Sequence, residues 1–326
     1  DPRDLHSFPT RRSSDLNFLC EQFEVESSDV YPIKGPIDLT ACMQLADVLA
    51  EDEPVITFKP VKTIGQEEDI FHRIRQGDVM FHHPFHAFDP VVNMIEQAAK
   101  DPDVLAIKQV LYRVGGNSPI VKALQVAANS GKQVTVLLEL TARFDEENNI
   151  QWAKLLEKNG CHVIYGIQGK KTHAKITLIV RKEPDGIRRY VHLSSGNYNV
   201  NTSKVYTDIG IMTCHEEIAQ DASKFFNILS GFVGQTDMRH LVAAPDHLKQ
   251  YLIKLIEKEM EFARSGRPAR IVAKMNSLVD REIIQALYLA SQAGVQIQLI
   301  VRGVCCLVPQ EKQLSENIWE IGRAHV

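Results

Sequence analysis

Residues 104–114 read VLAIKQVLYRV, and residues 115–119 read GGNSP. The first run is apolar and rich in β-formers, as a buried strand requires, and the second breaks it. Ile120, Ala123, Leu124 and Ala127 then recur at i, i+3, i+4 and i+7, the spacing of one helix face, with Gly131 placed to cap it. Residues 134–140, VTVLLEL, supply the next strand. Strand, helix and strand joined by short turns predict a right-handed βαβ unit in a largely parallel sheet. Working outward, a helix is expected around 150–158 and strands over 161–165, 174–180 and 190–193. The fold class is α/β.

The same unit recurs 163 positions later. Ile283, Ala286, Leu287, Ala290, Gly294, Gln296, Ile297 and Leu299 repeat Ile120, Ala123, Leu124, Ala127, Gly131, Gln133, Val134 and Val136 in one ungapped register, which predicts a duplicated α/β module. Residues 246–264, with Leu248, Leu252, Leu255 and Ile256 on one face, read as a helix opening the second copy. Upstream of Pro60, an irregular stretch holding Pro32, Pro36 and Pro54 reads as the end of a preceding helical domain. Residues 1–16 and 320–326 resemble translated sequencing-adapter DNA and are set aside as artefactual tails. The expected organisation is therefore 17–60 for that preceding domain, 61–244 for the first module and 245–319 for the start of a truncated second one.

Composition narrows the chemistry. A formal charge of −4 provides no global basic field, so an anionic substrate must be gripped by a local cluster of Lys and Arg. Six cysteines show neither CxxC spacing nor the density of a secreted disulfide scaffold and are expected to be reduced thiols, with the adjacent Cys305 and Cys306 buried and inert. No apolar run approaches a membrane span, and the expected location is the cytoplasm.

The strongest chemical signal is the stretch 170–175, KKTHAK, before the strand ITLIV. Side chains two apart at a strand start share one side, so His173 stands beside a fixed charge at Lys175. A neutral imidazole can attack phosphorus, and an ammonium offsets the charge that accumulates there. Residues 192–199, HLSSGNYN, end another strand in small polar groups, and Asn197 is placed to support the same histidine. Arg113, Arg143 and Arg302 each follow a strand, where ligands of parallel α/β sheets gather; three guanidiniums there suit an oligophosphate. His82, His83 and His86 look like a metal cluster without a further ligand to complete it, so a structural or phosphate-side role is expected.

An HxK followed by a small-residue-plus-Asn motif resembles the phospholipase D superfamily, whose two half-sites come from duplicated modules. Val180 stands where that superfamily's HxKxxxxD motif has its acid, which counts against a standard phosphodiesterase. Residues 82–88 (HHPFHAF), 107–113 (IKQVLYR), 142–147 (ARFDEE), 172–175 (THAK), 195–197 (SGN) and 301–303 (VRG), in this order, resemble polyphosphate kinase of the first bacterial class. The resemblance implies an ATP:polyphosphate phosphotransferase, reversibly moving the ATP γ-phosphate onto polyphosphate, with His173 as the phosphorylated nucleophile. It implies Mg²⁺ as cofactor, Arg113 and Arg143 at magnesium and phosphate positions that reach the metal through phosphate, and Tyr206 and Arg302 at the nucleotide. ATP or ADP and inorganic polyphosphate are the implied partners, without nucleic acid; a homo-oligomer is implied, and peripheral membrane association stays open. The repeat offset puts a counterpart of His173 near position 336, past the chain, so this stretch alone is expected to turn over poorly. A phospholipase D-like phosphodiesterase and a non-catalytic phosphate-binding module remain the competing readings.

Overall fold

The structure is a computed structural model that describes residues 13–26, 30, 42, 45, 48–49, 59–140, 146–166, 169, 171–231 and 237–322. The chain divides into two compact units, one of Asp1–Lys62 with Phe85–Ala87, the other of Thr63–Pro84 with Phe88–Val326. In the first, helix α1 spans Ser13–Phe23 and so starts within the stretch set aside as a tail. Val61 pairs with His86 in a parallel bridge, through Val61 N to Phe85 O and Ala87 N to Val61 O.

The second unit opens with α2 (Ile70–Gln76), β1 (Val79–His83) and α3 (Asp89–Lys100), followed by β2 (Val104–Leu111), α4 (Pro119–Asn129) and β3 (Gln133–Leu138). Ser118 accepts from the amide of Val121 and Pro119 occupies the first turn, which starts α4 where the GGNSP break ends. Then come α5 (Glu146–Lys158), β4 (His162–Ile164), β5 (Ile176–Glu183), β6 (Gly186–Ser194), β7 (Asp208–Thr213) and α6 (Glu216–Leu229). The strands form one seven-stranded sheet in the order β1-β7-β6-β5-β2-β3-β4.

Only β2, β3 and β4 run parallel; β5, β6, β7 and β1 pair antiparallel. The expectation of a largely parallel sheet is corrected here. β5 and β6 are joined by a tight turn between Glu183 and Gly186, and a connection that short permits only an antiparallel pair. The hairpin also lengthens both strands beyond the expected 174–180 and 190–193. One face of the sheet packs on α2 to α5 around Ile107, Leu124, Val136, Phe81 and Tyr190; the other packs on α6 through Phe226, Ala222 and Leu178.

After α7 (Leu248–Arg264), the repeat appears as β8 (Arg270–Met275), α8 (Arg281–Gln292) and β9 (Gln296–Val301). β3 begins at Gln133 and β9 at Gln296, the 163-residue spacing of the sequence repeat. Asp280 caps α8 as Ser118 caps α4. A last strand, β10 (Ile318–Gly322), pairs parallel with β9 and carries Glu320, Ile321 and Gly322 of the segment set aside as a tail. The register β8-β9-β10 reproduces β2-β3-β4, a parallel trio in both copies.

Candidate active site

The strand directions bring the candidate residues to one end of the large sheet. β2 and β3 finish there, β5 starts there, β6 ends there and β7 starts there, with Gln109 opposite Thr177, Thr177 opposite His192, and Ser194 opposite Gly210. Arg113 follows β2, His173 and Lys175 precede β5, Ser195 to Asn197 follow β6, and Tyr206 precedes β7. Arg143, which follows β3 in the sequence, lies outside the described residues.

Lys175 is buried, and its Nζ lies 2.9 Å from Nδ1 of His173 and 2.6 Å from the carbonyl oxygen of the same residue. The His173 ring stands edge-on to Tyr112, with centroids 4.8 Å apart, and Lys175 Nζ lies 5.2 Å from the centre of that tyrosine. His173 is open to solvent, yet its imidazole is held below the usual histidine range, first by lost hydration and then by the charges of Lys175 and Arg113. Desolvation pushes Lys175 down to about 8; Asp208 opposes the fall and Arg113 adds to it. Arg113 sits 5.9 Å from the Tyr112 ring, and its Nε has no hydrogen-bond partner among the described residues. A guanidinium with a buried, unpaired N–H beside a neutral imidazole and a lysine is a place for an anion.

Two carboxylates brace this group. Glu139, buried past the end of β3, accepts from the amide of Thr172 at 2.8 Å and so fixes the backbone immediately before His173. Asp208 accepts from Ser195 Oγ at 2.8 Å, while Ser195 Oγ accepts from Ile209 N at 3.0 Å. A Cβ on Gly196 would sit 2.5 Å from Asp208 Oδ2, so only glycine fits at this approach. Asn197 follows with its buried Oδ1 without a partner among the described residues.

Behind these lies a buried chain of polar groups. Thr177 Oγ1 is 2.7 Å from Gln109 Oε1, which can only accept, so the threonine donates there and receives from the Tyr198 hydroxyl at 2.8 Å. Tyr198 must then accept from Nδ1 of His192, 2.8 Å away, which fixes that histidine as the neutral Nδ1–H tautomer. Burial, and then the charge of His83, push His192 down to about 3, consistent with neutrality.

From the second sheet, the Arg302 guanidinium stacks 4.8 Å over the ring of Tyr206. Lys274 donates to the carbonyl of Thr207 at 3.0 Å, so two cations of this module reach the segment leading into β7. A cavity of about 1290 Å³ opens beside His173, with Lys171, Lys175 and Lys254 on its wall and Phe225 and Leu241 in its apolar part. It has room for more than one phosphate.

This end of the sheet lies within known family descriptions. The family model described as polyphosphate kinase C-terminal domain 1 matches residues 69–235, and that of C-terminal domain 2 matches 241–323. The chain belongs to the polyphosphate kinase family. It is 52% identical over 303 residues to polyphosphate kinase 1 of Chlorobaculum tepidum, covering 92% of this chain and 43% of that protein. It is 50% identical over 308 residues to the polyphosphate kinase of Bacillus cereus, covering 93% and 44%. The crystal structure of polyphosphate kinase from Porphyromonas gingivalis is similar with a TM-score of 0.73 and 39% identity, over 82% of this chain and 44% of that one. The chain thus spans less than half the length of the polyphosphate kinases it matches.

Not every residue singled out in the sequence joins the site. His82 is exposed and His83 buried on successive positions of β1, so their side chains leave opposite faces of the strand and do not converge. No group of three His, Cys, Asp or Glu among the described residues is arranged to hold a metal. The cations beside His173, Lys175 and Arg113, do not suit a directly bound metal ion. Cys306 is exposed and Cys305 half-buried against the core of the second module, which corrects the expectation that both are buried. The sequence reading missed Glu139, Asp208, Tyr112 and Asn276. Asp208 had a local signal as an acid two residues beyond Tyr206, and Tyr112 as the neighbour of Arg113; Glu139 and Asn276 act through contacts far apart in the chain.

Proposed function

We propose that this chain carries the phosphoryl-transfer centre of a polyphosphate kinase, with residues 61–244 as its first catalytic module and 245–319 as the beginning of the second. In this reading His173 attacks the γ-phosphorus of ATP. A bond forms between a ring nitrogen and phosphorus, the bond from phosphorus to the β,γ-bridging oxygen breaks, and ADP leaves with that oxygen. A terminal oxygen of inorganic polyphosphate then attacks the phosphohistidine and regenerates the free imidazole, and the same steps run in reverse. The observation that carries this reading is a solvent-accessible imidazole kept neutral beside a buried lysine and an arginine.

Each side chain has a part in this scheme. Neutrality preserves the lone pair that attacks. Lys175 and Arg113 face the oxygens of the transferring group, where added positive charge lowers the barrier most. Tyr206 and Arg302 hold the nucleotide, Asn197 presents its amide to the phosphoryl group, and Arg143 joins the phosphate-binding set. Magnesium enters bound to the phosphates. The whole protein is expected to work as a cytoplasmic homo-oligomer on ATP, ADP and polyphosphate. A phosphodiesterase reading has less support, because Val180 sits in mid-strand between Ala106 and Arg189 where that chemistry would need a carboxylate.

The test is mass spectrometry at neutral to alkaline pH, since acid hydrolyses the phosphoramidate. A protein of the relatives' full length that includes this chain is incubated with ATP and Mg²⁺. Phosphate on His173 that is absent in His173→Ala and discharged by ADP supports the kinase; a folded, nucleotide-binding protein that stays unlabelled rejects it.

A further inference from the structure

Arg302 does not hold its place over Tyr206 unaided. Its Nε donates to Oδ1 of Asn276 at 2.7 Å, and its Nη2 donates to the same oxygen. The backbone repeats the link on either side: Arg302 N donates to Met275 O at 3.1 Å, and Gly303 N donates to Asn276 O at 2.7 Å. A Cβ on Gly303 would lie 2.8 Å from that carbonyl, so the turn after β9 can close on the turn after β8 only with glycine there. The plane of the guanidinium is thereby set by Asn276 before any ligand arrives.

We infer that Asn276 is a positioning residue for the nucleotide end of the site: it aims Arg302 at Tyr206, so that the two modules present one preformed cation–aromatic pair to the nucleotide. This rests on the reading of Tyr206 and Arg302 as nucleotide contacts. A free arginine samples many rotamers and loses that freedom on binding; one already fixed through two donors has lost it beforehand, and the gain appears in affinity. Asn276 itself touches neither His173 nor Lys175 among the contacts described, so its loss should weaken nucleotide capture and spare the transfer step. Its side chain is exposed, which lets it be replaced without opening the core.

The experiment compares wild type, Asn276→Ala, Asn276→Asp, Arg302→Ala and the double variant Asn276→Ala/Arg302→Ala in the full-length protein, reading KM for ATP, kcat and the His173 label. Loss of a hydrogen bond to a charged partner predicts a rise in KM of about tenfold for Asn276→Ala, with kcat within about twofold of wild type. Asn276→Asp keeps the acceptor and should restore most of the affinity. In the Arg302→Ala background, removing Asn276 should change KM by less than about twofold, because its only route to the nucleotide is gone. An unchanged KM in Asn276→Ala, or effects of Asn276→Ala and Arg302→Ala that simply multiply, overturns the inference while a labelled His173 leaves the kinase reading standing. A wild type that neither binds ATP nor labels overturns both. If Asn276→Ala does not fold, Asn276→Ser carries the same expectations.

Discussion

Lys175 Nζ lies 2.9 Å from Nδ1 of His173, on the near side of the imidazole. That nitrogen is covered by the buried lysine, so Nε2 is the ring atom open to an incoming phosphorus. For Nε2 to hold the lone pair in the proposed transfer the ring proton must sit on Nδ1, and a charged Lys175 must then turn its protons to the His173 carbonyl, 2.6 Å away, and to the phosphoryl oxygens. The phosphorylated protein should therefore carry its phosphate on Nε2, as the ³¹P chemical shift of the intact phosphoprotein can tell. Phosphate on Nδ1 would mean that the lysine moves away before transfer.

The same pair sets a pH dependence. In the proposed transfer His173 must be neutral to attack and Lys175 charged to meet the phosphoryl oxygens, so kcat/KM should rise through the lowered histidine value and fall as Lys175 loses its proton near about 8. Lys175→Arg should carry the alkaline limb upward, since a guanidinium stays charged. Asp208 is the charge that opposes the depression of Lys175, so Asp208→Asn should carry that limb downward. A rate that climbs through 8 in wild type would instead make neutral Lys175 the acceptor of a proton from Nδ1.

Gly196→Ala tests the close approach to Asp208. The new methyl would fall 2.5 Å from Oδ2 and 2.9 Å from Cβ of Asp208, so the whole side chain must shift and lose its bond to Ser195. A cost of about 1–3 kcal/mol in urea unfolding is expected, with lower activity in the folded fraction. Unchanged stability and rate would show that the turn relaxes freely.

Tyr198→Phe removes one hydroxyl from the middle of the buried chain. Thr177 keeps Gln109, but Nδ1–H of His192 loses its acceptor in a fully enclosed site, at a cost of about 1–3 kcal/mol. Equilibrium unfolding in urea reads this directly, and a difference within error would show that the His192–Tyr198 bond adds nothing net to stability.

Asp221 secures the segment that joins the two modules. It is buried on α6 and accepts from the amides of Arg239, His240 and Leu241 at 2.8, 2.7 and 3.1 Å. Desolvation raises its pKa, but those three amides and Lys224 outweigh it and hold the carboxyl below its usual range. A depressed acid contributes stability that is present above its unfolded value and lost as pH falls through the folded one. Asp221→Asn should therefore cost about 2 kcal/mol near neutral pH and progressively less in acid, because the wild-type advantage disappears there. Parallel unfolding curves for wild type and variant at pH 7 and pH 3 check the sign.

The βαβ units were legible because their signals are local. Ile120, Ala123, Leu124 and Ala127 mark a helix face wherever the helix sits, and the match to Ile283, Ala286, Leu287 and Ala290 needs no folding to be seen. The pairing of β5 with β2 was not legible. Thr177 opposes Gln109 across 68 positions, and nothing in either run states its partner or direction. A short apolar strand carries no mark of parallel or antiparallel, so the hairpin through Gly186 turned half of an expected parallel sheet the other way.

For the site the division is similar. The sequence by itself determined an α/β chain with a repeated unit, a histidine two residues from a lysine at a strand start, and arginines at strand ends, because periodicity and neighbour spacing are properties of a few consecutive residues. Only the tertiary structure decided that Glu139 holds Thr172, that Asp208 holds Ser195 and that Asn276 holds Arg302 over Tyr206. Their sequence separations run from 13 to 33 residues for these three hydrogen bonds. Bringing such groups together takes chain entropy that only the packed sheets repay, so those contacts exist in the fold and not in any local stretch of sequence.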